Sequence, residues 1–385
     1  MRSLAKAAST LALAALVCAA APAHGAQVAP NRPKIELVFA VDTTGSMGGL
    51  IQAAKTKVWS IINQIASGKP TPEVRVGLVA YRDRGDDYVT QVTDLTADLD
   101  AMYTKLMAFQ AGGGGDTPES VNLALADAVN KVSWSQGKQV MRMIFLVGDA
   151  PPHMDYQGEA QYPEIAKQAV LKGITIHAIR CGTAGDTEQI FKDIAHRAEG
   201  RYFSIQQSGG AVAVATPFDA DIAKLDGDVR STTVLYGARA EREESKKKME
   251  AVAGAMAAAP AEAKADRAAY AAREAKAAPA SSARAGGGYA GDLVTASTTG
   301  AVDMEKLGED SLPDEMKKLT PAERKAYVEK KAAERKALQD KLDDLNKKRA
   351  SFLSDAAKKG GAKDSFDQSV LDAVKEKSDK IGVTY

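Results

Sequence analysis

The sequence is poor in cysteine, and that scarcity sets its first bounds. Of 385 residues only Cys18 and Cys181 carry a thiol. Cys18 falls in an N-terminal leader, so a processed chain keeps Cys181 alone. That excludes an intrachain disulfide and a thiolate metal site. An excess of charge is also missing: 51 Lys and Arg stand against 50 Asp and Glu, a formal net charge of +1. No bulk basicity points to nucleic acid or to an acidic membrane surface. Aromatic residues are only 5% of the chain, while the hydrophobic share of 45% is ordinary for a soluble globular protein. The apolar run Leu11–Ala21 is shorter than the ~20 residues of a spanning helix, and no other run approaches that length.

What the N-terminus does contain reads as a signal peptide over residues 1–26. Arg2 and Lys6 supply a positive start, Leu11–Ala21 the apolar stretch, and Ala21-Pro22-Ala23 and His24-Gly25-Ala26 small-residue cleavage sites. Val17 before Cys18 departs from a lipoprotein cleavage box, which argues against a lipid anchor. The expected location is outside the cytoplasm of a bacterium: periplasm, cell surface or medium. No transmembrane segment is expected after cleavage. Cys181 ends the strand-like run Ile174–Cys181 and reads as a small core residue.

The chain is organised around residues 35–62. Ile35–Val41 is an apolar, β-branched run, the pattern of a strand buried on both faces. It ends in Asp42-Thr43-Thr44-Gly45-Ser46, and apolar residues at helical spacing follow through Ile62. Ligands of open α/β sheets bind at the carboxyl ends of strands. Asp42, Thr44 and Ser46 alternate along such an end, so their oxygens can converge on one point. Oxygen-only donors suit a hard cation such as Mg²⁺. The alternative is a loop whose Asp and Ser merely cap the next helix.

Strands and helices then alternate. Val74–Tyr81 reads as a second strand. Tyr88–Thr93, after the polar turn Arg82–Asp87, reads as an antiparallel edge. Residues 97–109 are helical, Ala111–Asp116 is a glycine-rich loop, and Pro118 is expected to open a helix carrying Val121, Leu125 and Val129. Val140–Val147 is a central strand ending in Gly148-Asp149. A helix over 160–172, the Ile174 strand, a capping box at Asp186 and a short strand Tyr202–Ile205 complete the pattern. The expected fold class is α/β: a doubly wound, mostly parallel sheet with helices on both faces.

Asp42-x-Thr44-x-Ser46 after a buried strand resembles the metal-ion-dependent adhesion site (MIDAS) of von Willebrand factor A (vWA) domains, with Thr44 in place of the usual serine. Thr117, in Gly114-Gly115-Asp116-Thr117, stands where the family has its second-segment threonine, and Asp149 where it has its third-segment aspartate. Tyr81-Arg82-Asp83, Gly115-Asp116-x-Pro118-Glu119 and Asp149-Ala150-Pro151-x-His153 look like the branch that includes the vWA domains of certain alpha-kinases. The resemblance covers roughly residues 33–208. It implies a Rossmann-like fold and a Mg²⁺ (or Mn²⁺) held by Asp42, Thr44, Ser46, Thr117 and Asp149. It also implies an open position for a partner's carboxylate. Glu119 could fill that position from within, and Asp116 or Glu119 could replace Thr117. Both also read as carboxylates favoured at a helix start. His153 and Asp83 read as loop residues or outer contacts of the metal, and Arg84-Gly85-Asp86 as turn chemistry.

Beyond the core, residues 209–240 read as an extension packing on the vWA domain. It has a short helix from Thr216 to Leu225 and a strand at Thr232–Tyr236. Residues 241–312 read as an Ala- and charge-rich linker and 313–385 as a helical tail. Thr320-Pro321-Ala322-Glu323 is a clean helix start for a helix to about Leu353. Leu338, Leu342, Leu345 and Phe352 form a narrow stripe that Lys331, Arg335 and Arg349 interrupt, short of a coiled-coil seam.

Three functions follow from this reading. The first is an exported module that captures a protein partner, through that partner's Asp or Glu, on a divalent cation. The second is a metal-free scaffold whose helical tail does the binding. The third is a hydrolase, with His153 as the one candidate base near the site. The aspartic-protease triplet is broken at Thr43-Thr44 and has no second copy, so no enzyme is expected.

Overall fold

A computed structural model describes residues 32–137, 139–205, 214–277, 291–359 and 366–385. The expected leader, with Cys18, and the glycine run 286–288 lie outside them. In chain order the elements are β1 (Lys34–Asp42), α1 (Ile51–Ile65), β2 (Glu73–Tyr81), β3 (Thr90–Thr96), α2 (Leu99–Ala108), α3 (Val121–Asn130) and β4 (Val140–Gly148). Then come α4 (Tyr162–Leu171), β5 (Ile174–Cys181), α5 (Gly185–Arg197), β6 (Tyr202–Ile205), α6 (Asp219–Ser231), α7 (Arg239–Ala258) and α8 (Ala261–Ala277). The last are α9 (Leu293–Thr298), α10 (Asp314–Lys317), α11 (Pro321–Lys359) and α12 (Phe366–Ser378).

The six strands form one sheet in the order β3-β2-β1-β4-β5-β6. All neighbours are parallel except β2 and β3, the antiparallel edge that the short turn predicts. β1 shows why the sheet is covered on both faces. Ile35, Leu37, Phe39 and Val41 enter one core with α1 and α2, whereas Val38 and Ala40 enter the other with α3, α4 and α5. The period-2 alternation of a strand thus feeds two cores from one apolar run. Phe39 and Phe145 stack on neighbouring strands, their centroids 5.2 Å apart. Cys181 is buried, and that burial pushes its thiol well up, so it is a core residue and not a reactive one.

Several local expectations change. Pro118 does not open α3; it follows Thr117 through a cis peptide bond, and the helix starts at Val121. Asp186 caps the amide of Thr187 within the first turn of α5 instead of preceding the helix. Thr232–Tyr236 makes a single bridge, Leu235 with Asp292, in place of a strand. The capping box at Thr320 does form: Thr320 N donates to Glu323 Oε2 at 2.8 Å, and Glu323 N to Thr320 Oγ1 at 3.3 Å.

The larger change is in the segment expected as a linker. Arg32–Tyr385 is one unit, and much of 241–277 is helix built into it. Val252, Met256 and Ala259 of α7 and its end, and Tyr270 of α8, join the core on the α1 side of the sheet. Val370, Ala373 and Val374 of α12, with Ile381 and Val383, join the same core. Alanine-rich composition reads as weakly apolar, yet alanine is the best helix former and lets helices approach closely.

α11 explains the interrupted stripe. Arg335, Leu338, Leu342, Leu345, Arg349 and Phe352 recur at steps of three and four, so they share one face. Arg349 is buried and donates from Nε to Asp219 of α6 at 2.6 Å and from Nη1 to Asp266 of α8 at 2.7 Å. Arg335 is buried too, ion-paired with Asp292 and donating from Nε to Thr232 Oγ1 at 2.7 Å. Leu342 packs among Ile222, Ala265 and Ala268. The arginines that break a coiled-coil seam are the contacts that fasten this helix to its own chain.

Candidate metal centre

β1 and β4 are neighbours at the point where the strand order reverses, and their carboxyl ends carry Asp42 and Asp149. In open α/β sheets that crevice is where ligands sit. Asp42 is wholly buried; Thr44 donates to its Oδ1 twice, from N at 2.8 Å and from Oγ1 at 2.6 Å. Thr44 Oγ1 lies 3.0 Å from Ser46 Oγ, which donates to Asp149 Oδ1 at 2.9 Å. Four of the five residues expected as ligands are therefore brought into one hydrogen-bonded chain. Thr43 points the other way, donating to Tyr81 O at 2.9 Å and meeting Tyr88 OH at 2.6 Å. The alternation read from the sequence holds in the structure.

Neighbouring loops fix this loop. Gly45 N donates to Gly113 O, and Gly112 N to Thr43 O, each at 3.0 Å. A Cβ on Gly45 would meet Gly113 O at 2.8 Å, so the two backbones approach closely only because Gly45 has no side chain. Arg82 Nε braces the far side by donating to Thr43 O at 3.1 Å. Asp86, of the Arg84-Gly85-Asp86 turn, accepts from Gly114 N at 2.9 Å, which gives that tripeptide an internal role.

Thr117 is the exception among the expected ligands. It is exposed and makes no hydrogen bond to Asp42, Thr44, Ser46 or Asp149. Two residues on, Glu119 is buried, with its backbone fixed between Pro151 O, 2.9 Å from its N, and His153 N, 3.0 Å from its O. Glu119 Oε1 and Thr44 Cβ both lie 3.2 Å from where a Cβ on Gly114 would stand. The buried acid of this segment is thus Glu119. The pairing of its backbone with the β4 exit could not be seen from local sequence.

The electrostatics are those of acids lacking positive charge. Burial raises the Asp42 carboxyl above the ordinary range; the bonds from Thr44 work against that rise and Asp149 adds to it. Burial raises Asp149 as well. Glu119 is pushed up to about 8 by burial, then by Asp42, Asp83, Asp86 and Asp149. Asp42 Oδ2 and Glu119 Oε2 are buried without a hydrogen-bond partner. Orphaned acceptors of this kind carry a desolvation cost that a cation removes. The donors present, two hydroxyls and two carboxylates with a third carboxylate beside them, fit a hard divalent cation. Ser46 and the glycine loop are exposed, so the group opens to solvent on that side.

A second group lies on the same rim. Asp83, Asp116 and His153 place ligand atoms within 4.8 Å of one another.

Residues 36–216 match the family model described as von Willebrand factor A domain. This part of the chain is a vWA domain, with the fold described above. Von Willebrand factor A domain-containing protein 7 of Rattus norvegicus is 41% identical over 93 residues, which is 24% of this chain and 10% of that protein. A putative ariadne-like RING finger protein, R811, of Acanthamoeba polyphaga mimivirus is 26% identical over 123 residues, 32% of this chain and 12% of that one. The chain spans about a tenth of the length of these relatives. Among solved structures, the SpRpn10 VWA domain aligns with a TM-score of 0.35 and 20% identity, over 46% of this chain and 89% of that one. Proximal thread matrix protein 1 from the mussel byssus aligns with a TM-score of 0.36 and 15% identity, over 46% and 43%.

Proposed function

We propose that this chain is a protein-binding module whose vWA domain captures a partner on a divalent cation, Mg²⁺ or Mn²⁺. Asp42, Thr44, Ser46 and Asp149 would hold the cation. One observation carries the reading: these four side chains converge in a single hydrogen-bonded chain at the strand-order reversal, with Asp42 Oδ2 buried and unsatisfied. When bound, the cation supplies an electrophilic centre for an outside oxygen ligand. Hydroxyl donors coordinate without neutralising charge, so a partner's Asp or Glu is the ligand that best completes the shell. The chain's own part is positioning. Thr44 orients Asp42, Ser46 orients Asp149, and the glycine loop leaves the approach open.

The leader-like N-terminus supports an exported, bacterial setting, and the loop residues from Tyr81 to His153 support kinship with the alpha-kinase-associated branch. We assign no catalytic step, because His153 sits with Asp83 and Asp155 rather than against Asp42 or Asp149. The rival reading, a metal-free scaffold with a working tail, has less support, since the contact stripe of α11 is already spent on its own chain. Titration calorimetry with Mn²⁺ tests the proposal. The full chain should bind one Mn²⁺ that Asp42→Ala abolishes while the circular dichroism spectrum is kept. A pull-down from the native envelope should lose its partner in chelator. Equal Mn²⁺ affinity in both proteins, or capture indifferent to chelator, overturns it.

A further inference from the structure

The group formed by Asp83, Asp116 and His153 takes no part in the site just described. His153 is 7% exposed, and its Nε2 is buried without a hydrogen-bond partner. The ring is held from several sides. Its backbone N donates to Glu119 O at 3.0 Å, and its carbonyl accepts from Asn122 Nδ2 at 2.6 Å. The imidazole stacks on Tyr156, with centroids 3.9 Å apart and planes 9° apart. Nδ1 lies 2.8 Å from Asp155 Oδ1. An ionised carboxylate only accepts, so Nδ1 donates to Asp155 and Nε2 is the ring nitrogen left to face inward.

That nitrogen faces a carboxylate. Nε2 stands 3.4 Å from Asp83 Oδ2, itself buried. Asp83 already accepts from Ser120 Oγ at 2.8 Å on Oδ1 and from Tyr156 OH at 2.6 Å on Oδ2. An orphaned, buried ring nitrogen beside a buried carboxylate is a place that a cation can satisfy. Asp116 brings a second carboxylate from the exposed glycine loop, and the three ligand atoms fall within 4.8 Å of one another.

We infer that Asp83, Asp116 and His153 form a second cation site, specific for a nitrogen-accepting first-row divalent ion of the Zn²⁺ class. Imidazole nitrogen with two carboxylates suits Zn²⁺, whereas Mg²⁺ prefers oxygen throughout. Asp155 supplies the outer hydrogen bond that metal-binding histidines take on their other nitrogen. Tyr156 orients Asp83. The ligands come from the loops after β2 and β4 and from the glycine loop, so an ion here ties together the rim that surrounds Asp42. The site stands independently of the cation reading for Asp42.

Zinc and cobalt binding test it in the full chain, with excess Mg²⁺ present to fill the first site. Wild type should take up one Zn²⁺, and Co²⁺ in its place should give visible d–d bands with a paramagnetically shifted His153 ring. His153→Gln should weaken Zn²⁺ by about 100-fold or more. Asp155→Asn, at a largely exposed side chain, should weaken it about 10- to 100-fold through the ring's orientation alone. Both variants should keep Mn²⁺ binding at Asp42, and Asp42→Ala should keep Zn²⁺, so the two sites fail separately. Zn²⁺ affinity equal in wild type and His153→Gln overturns the inference. So does a doubly protonated His153 ring by ¹⁵N shifts at neutral pH with no Zn²⁺ uptake, because an imidazolium would then be the missing positive charge.

Discussion

Replacing Arg349 with methionine should destabilise the whole chain, not only its tail. The guanidinium is buried between two carboxylates, Asp219 and Asp266, at 2.6 and 2.7 Å. Methionine keeps most of the apolar stem and removes the charge. Breaking a buried ion pair from one side costs about 3–5 kcal/mol, because the partner is left buried and uncompensated. Here two partners are stranded, which pushes toward the upper end. Remaining donors push back: Asp219 keeps the amide and hydroxyl of Thr216, at 2.6 and 2.9 Å, and Asp266 keeps Asn63 Nδ2 at 3.1 Å. A net loss of about 4 kcal/mol follows. With a urea slope of about 3 kcal/mol/M that is a midpoint shift of about 1.3 M. Urea unfolding followed by tryptophan fluorescence is a suitable assay, since Trp59 lies in the sheet core on α1, the helix that Asp266 reaches through Asn63. Methionine at 349 with asparagine at 219 and 266 should recover a large part of the loss. A shift worth less than about 1 kcal/mol would refute the reasoning. A helical transition that leaves the Trp59 signal untouched would refute it too.

Two further outcomes follow. In chelator, Glu119 keeps its proton in the folded chain up to about 8, while the unfolded chain releases it near 4.5. The folded state then binds more protons across that window, so stability should fall as pH rises through it, and Glu119→Gln should flatten the slope; an unchanged slope in thermal melts sinks this account. A fragment of residues 33–240 should bind a hydrophobic dye and self-associate, because it lacks α7, α8 and α12 from the core on the α1 side. A monomeric fragment with a sharp melt would show those helices to be dispensable.

Much of the sheet was legible because its signals are local. The run Ile35–Val41 had to be covered on both faces, and Asp42, Thr44 and Ser46 were legible from their alternation along the loop after it and from the family motif they resemble. Asp149 was legible through the same resemblance, at the end of a second buried run. Glu119 was legible only as an alternative to Thr117, since helix-start chemistry also accounts for an acid there, and the bridge between Glu119 and Pro152 shows where it goes. His153 was seen, but its partner Asp83 lies 70 residues earlier on another strand end. The tail was misread for a related reason. Heptad logic treats a charge on the seam as a fault, and the acids that neutralise Arg349 lie 130 and 83 residues away.

The last residues of the chain have a consequence for the order in which it can be built. Thr384 pairs with Lys69 across 315 positions, and Tyr385 OH donates to Ile65 O at 2.8 Å. Val383 sits against Gly68, where a Cβ would meet it at 2.4 Å. These residues thus seal the end of α1, which lies more than 300 positions earlier in the chain. Domains commonly fold from the N-terminus as they emerge, and contacts of long sequence separation close late. For this chain the sheet can assemble before residues 370–385 arrive, but part of its α1-side apolar face stays uncovered until that segment docks. A change in these residues would therefore harm the sheet core rather than the tail.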